Sequence, residues 1–169
     1  RPMSDGRGDG SLGGARVTLE HLCDWSITLE PAQLVATPLG LRMTYVIREG
    51  TCTGERLNGR FLPGGGDWVL VGPDAVGRLD VRATLETHDG ALVHVTNLGV
   101  ASLEPAAAER LAAGELVPWD AMHVRSTPRF ETADERYAWL NAVVAVAVND
   151  LGPNTEAAHH VGYRLWDVR

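Results

Sequence analysis

At 169 residues the chain suits one domain, and its 44% hydrophobic content is enough to build a core. A net charge of −7 works against a nucleic-acid partner, whose phosphates it would repel. No apolar run reaches membrane-spanning length and the start lacks a basic-then-apolar leader, so a cytoplasmic protein without membrane association is expected.

Residues 1–14, "RPMSDGRGDGSLGG", hold almost nothing to bury and are read as a glycine-rich tail ahead of a single domain over 15–169. From Ala15 the text is strand-like. "ARVTLEHLCDWSITLE" alternates, placing Val17, Leu19, His21, Cys23 and Trp25 on one face. Then come "RMTYVIREG", "GDWVLV", "GRLDVRATLETHDG", "ALVHVTNLGV", "DAMHVRSTPRFE", "WLNAVVAVAVND" and "HVGYRLWDV", separated by turn signals such as Pro38-Leu39-Gly40 and Gly72-Pro73-Asp74. Asp89-Gly90 predicts a hairpin through a type I′ turn. One helix is expected in "SLEPAAAERLAAGE", opened by Pro105 and ended by Gly114, with a shorter turn at "ADERYAW". Eight or nine strands and one short connecting helix predict an all-β domain, an antiparallel barrel, because closure removes exposed sheet edges.

Asp80, Arg82 and Thr84 share one strand face, and His123, Arg125 and Thr127 another; such faces look either to solvent or into a polar lumen. "RFLPGGGDW" sets three glycines before Asp67 and Trp68, which suits either a hairpin loop or a rim that carries a carboxylate and an aromatic wall to a pocket. The strand from Leu140 to Val148, apolar on both faces, predicts cover by a mouth-closing segment or by another subunit, and a homodimer is expected. Cys23 and Cys52 have neither zinc nor disulfide-scaffold spacing, and both are expected reduced, a single disulfide being the other option. The six histidines form no HxH or HExxH pair, so no metal is expected, and no phosphate-binding loop or nucleophile elbow is present.

The strings "LNGRFLPGGGDWVLVGPDAVGRLDVRATLETHDGALVHVTNLG" and "VRSTPRFETADERYAWLNAVVAVAV" resemble the family known as domain of unknown function 3237. Its pattern runs LxGxxLPGGxDW, LDxRYxLxTxDG, N-x-G, FRTxPxFET and YxWLN, and the likeness extends from about Leu22 to Arg169. Departures at Ala83-Thr84, His88 and Val124 alter the shape of any pocket. The resemblance implies a lipocalin-like barrel, paired as a dimer, and supplies no activity.

The residues leave three functions open: a cofactor-free enzyme of cyclase, isomerase or lyase type, a carrier of a small hydrophobic molecule, or a subunit with no ligand. For the enzyme, the site is expected at one barrel mouth. Asp67, Asp80, Arg125 and Glu131 are the candidate catalytic groups, and Trp68, Arg82, Tyr137, Trp139 and Asn141 would bind a small organic substrate. Pro128 would end regular strand pairing at that rim. The alternative for Asp80, Arg82 and Arg125 is an ion-pair network that only ties strands together.

Overall fold

The computed structural model describes residues 16–113, 115, 122–150 and 159–169. The expected tail, the helix end at Gly114 and the turn at 151–153 lie outside them. Ten strands, β1 (Leu19–Leu29), β2 (Gln33–Thr37), β3 (Gly40–Thr53), β4 (Gly59–Phe61), β5 (Gly66–Val71), β6 (Val76–Thr87), β7 (Leu92–Leu103), β8 (Met122–Glu131), β9 (Ala145–Asp150) and β10 (His159–Val168), form one antiparallel sheet. Pairing of β1 with β3 closes it into a barrel of eight staves. β4 and β5 share one stave between β3 and β6, and β2 extends the stave of β1 beyond Pro31. β2 and β4, at five and three residues, are too short for alternation to announce them.

Helix α1 (Pro105–Ala112) links β7 to β8 as expected, and a 3-10 helix occupies Glu135–Ala142. Its N-cap is Asp134, whose carboxylate accepts from the Arg136 N–H. This helix takes Leu140–Ala142 out of the strand expected over Leu140–Val148, which begins only at Ala145. In β9, Ala145 and Ala147 point to the core, while Val146 and Val148 are half-buried on the other side. None of the described helices is long and apolar enough to cross a membrane.

Three local expectations are corrected. A register shift between His21 and Cys23 turns the strand, so Cys23, Trp25, Ile27 and Leu29 face inward while Leu19 and His21 are exposed. At Asp89-Gly90 only Gly90 has positive φ (+87°), and the Gly90 N–H donates to the Thr87 carbonyl; a three-residue loop with a left-handed glycine replaces the type I′ turn. Pro128 sits mid-strand, because β8 pairs with β7 along its whole length while its pairing with β9 reaches only Arg125 and Ser126.

One end of the barrel is packed solid. Trp25 lies edge-on to Phe61, Phe130 and Tyr163, with ring centroids 5.2, 6.2 and 6.3 Å apart, above a layer that includes Leu22, Leu57, Leu85, Val93 and Leu140. Cys23 and Cys52 are both buried there and both free. Toward the other end two facing inward positions are small, Gly77 and Ala101 across β6 and β7, and the lumen there is hollow.

The three glycines of the β4–β5 connection each have a steric reason. Gly64 has φ of +101°, and a Cβ on Gly65 would stand 2.6 Å from the Arg82 carbonyl oxygen. A Cβ on Gly66 would stand 2.5 Å from the Tyr45 carbonyl oxygen. Gly65→Ala therefore forces backbone apart. We expect it to lower stability by about 1–3 kcal/mol, read as a fall in the urea midpoint at unchanged m-value.

Candidate active site in the barrel lumen

The hollow half of the barrel is a cavity of about 80 Å³, room for several water molecules or a compact organic molecule. Leu29, Met43, Val71, Gly77, Ala101 and Met122 line its outer part, and Ile47, Val81, Val124 and Trp25 lie deeper. Into this apolar tube β5 delivers Asp67. Alternation along β5 turns Asp67, Val69 and Val71 inward and leaves Trp68 outside, 43% exposed.

Between the registers Asp67↔Val81 and Leu70↔Arg78, two rungs of the β5–β6 ladder are open. The Asp80 N–H freed there donates to Asp67 Oδ1 at 3.0 Å. No arginine among the described residues pairs with this carboxylate. Loss of hydration in the apolar surround dominates and pushes Asp67 up to about 7. The Asp80 N–H opposes that rise, and the Asp80 charge adds to it. Asp67 is the one formally charged side chain among the described lining residues.

Three neutral polar residues share the lumen. Tyr45 lies directly opposite Asp67 in the β3–β5 pair, Tyr163 stands on β10 opposite Trp25, and Asn97 lies beside Val81 in the β6–β7 pair. The Asn97 Oδ1 is buried without a hydrogen-bond partner. Burial pushes the Tyr45 hydroxyl up to about 12, with the Asp67 charge adding to it, and the same two causes raise Tyr163.

The nine residues singled out from sequence separate into three places. Asp67 alone reaches the lumen. Trp68, Asp80, Arg82 and Arg125 lie on the outer wall, where Arg82 meets Asp80 at 3.4 Å and Arg125 donates to its own neighbour, the Val124 carbonyl. The remaining four sit at the packed end. Glu131 and Asn141 share a shallow surface hollow, and Asn141 brackets the Thr132 backbone with two hydrogen bonds of 2.9 Å. Trp139 lies under the Arg56 guanidinium, 4.0 Å from its ring centre, and the Tyr137 hydroxyl donates to Asp89 Oδ1 at 2.9 Å. The polar stripe therefore faces solvent, and the expected convergence at one mouth does not occur. Tyr45, Asn97 and Tyr163 were missed because they lie on otherwise apolar faces. The signal available was their shared parity with core positions of β3, β7 and β10. Among the described residues, no three histidine, cysteine, aspartate or glutamate side chains cluster as a metal would require.

A closed antiparallel barrel with one half-buried acid among the described residues of an apolar lumen defines the class. The chain belongs to the family described as Protein of unknown function (DUF3237), whose model matches residues 17–168. It is 35% identical over 154 residues to a UPF0311 protein of Bradyrhizobium diazoefficiens, covering 89% of this chain and 95% of that one. Among solved structures, a beta-barrel like protein from Acinetobacter baumannii superposes with a TM-score of 0.74 at 31% identity, covering 92% and 98%. A protein described as an enzyme from Penicillium herquei shares the fold at a TM-score of 0.64 and 23% identity, over 92% and 99%.

Two predictions follow from these placements. In the unfolded chain Asp67 ionises near 3.8, and in the fold near 7, so the native state holds the extra proton between those values. That contribution to stability is complete below pH 4 and is lost as pH rises to 7, on the order of 4 kcal/mol in all. Asp67→Asn removes it, so the stability of the variant relative to the parent should rise from pH 4 to 7 and level off above; urea unfolding across that range measures it, and a flat difference contradicts the burial argument. Tyr137→Phe should cost about 1 kcal/mol by removing the bond to Asp89 and leave the lumen's ligand binding unchanged, checked by thermal unfolding and titration.

Proposed function

We propose that this chain is a cofactor-independent enzyme that moves a proton on a small, mostly apolar organic molecule held in the lumen, with Asp67 as acid and base. The observation that carries this reading is a carboxyl group in an apolar cavity, with no cationic side chain among the described lining residues, pushed up to about 7. A group so poised is protonated or ionised in comparable amounts near neutrality, which is what general acid–base catalysis requires. Cyclisation, isomerisation and elimination each need one proton taken and one returned, and a single carboxyl can do both. The chain contains no lysine, so a carbonyl substrate is not activated through an imine with a lysine side chain. The Penicillium herquei enzyme supports the reading at the level of fold alone.

A second reading is supported by the apolar lining: a carrier in which Asp67 only orients the ligand. The two separate under one substitution. Once a panel of uncharged aromatic and alicyclic compounds yields a ligand, Asp67→Asn in the enzyme should lower turnover by ~10²–10⁴-fold with binding changed much less. In the carrier no compound is converted, and binding alone responds. Retained turnover in Asp67→Asn would remove Asp67 from the chemistry. We also propose a homodimer; sedimentation at micromolar concentration showing monomer alone would rule it out.

A further inference from the structure

We propose that Tyr45 and Tyr163 form a pair of uncharged hydroxyl donors for the oxygen of a carbonyl substrate, so that the lumen takes neutral ketones or esters and rejects carboxylates and phosphates. The proposal rests on Asp67 being the acid–base group. Both tyrosines line the cavity, and neither hydroxyl has a hydrogen-bond partner in the protein among the described residues. Tyr45 is the cross-strand neighbour of Asp67 on the inward face, a spacing at which opposed side chains meet. Tyr163 stands on β10, beyond β1 from β3, yet is close enough to feel the Asp67 charge. Neither hydroxyl is sealed from the cavity, and both, unpaired by the described residues, leave their donors for a ligand in the tube that carries Asp67.

Charge selects the ligand class. An anion entering this lumen would approach Asp67 with no described arginine or histidine lining the cavity to meet it. A neutral carbonyl oxygen accepts from both hydroxyls at no such cost. The Asp67 carboxylate then takes a proton from the carbon next to the carbonyl. The C–H pair becomes the new C=C bond, and the carbonyl π pair moves onto oxygen, where the two O–H groups hold the enolate without giving up their protons. Return of the same proton from Asp67 to another carbon of the conjugated system yields an isomer, and no oxidant or reductant is consumed.

Acetophenone is a suitable probe, with toluene and benzoate as controls. We expect saturable binding of acetophenone and toluene but not of benzoate, and a bound carbonyl stretch in the infrared lying below its value in water. Tyr45→Phe and Tyr163→Phe should each reverse part of that shift and slow exchange of the methyl protons for deuterium by ~10²-fold, while toluene still binds and shows the lumen intact. Asp67→Asn should stop the exchange and keep the lowered stretch. If exchange persists in Asp67→Asn while the stretch still depends on the tyrosines, the acid–base reading fails and the donor pair stands. A stretch unaffected by both tyrosine substitutions, failure of acetophenone to bind, or benzoate binding as well as acetophenone, overturns the proposal.

Discussion

Gly65 and Gly66 lie against the backbones of β6 and β3 so closely that no side chain fits, and the inward parity of β5 depends on that contact. A strand has a side-chain period of two, so a slip of one residue would put Trp68 in the lumen and Asp67 in water. Because the glycine-lined approach admits a single register, the acid faces in. The Asp80 N–H, left over where the β5–β6 ladder opens, then ties Asp67 Oδ1 to β6. Backbone sterics thus place a group whose own burial is unfavourable.

Most of the fold was legible because barrel strands announce themselves by alternation and by glycine-rich turns. What escaped was governed by neighbours in space. The 3-10 helix at Glu135–Ala142 begins within the expected turn at 133–139, but its end reads as strand in one dimension because Leu140, Val143 and Val144 look like a buried run, whereas the Tyr137–Asp89 bond is a tertiary fact. The bulge at His21–Cys23 inverts a face that period-two reading had set correctly for Cys23 and Trp25 and wrongly for Leu19.

The candidate site was legible only at Asp67. Charged residues drew attention to Asp80, Arg82 and Arg125, yet strand alternation sends these outward, and arginines at the surface pair with nearby carboxylates or carbonyls. Such exposed pairs contribute little to stability. A lumen this apolar advertises itself instead through hydroxyls and an amide hidden among core residues, and a single sequence gives no cue that separates a core tyrosine from a lumenal one.

The hollow itself comes from small side chains facing each other at Gly77 and Ala101. A methyl group at position 77 would meet the Ala101 Cβ at 3.4 Å, an ordinary contact, so the backbone there tolerates growth. The capacity of the barrel is therefore adjustable one carbon at a time at a pair of positions remote from Asp67. If Asp67 has the proposed acid–base role, divergence among relatives at that pair would retune which molecules fit and leave the acid untouched, a division of labour between a dial for size and a fixed point for reactivity.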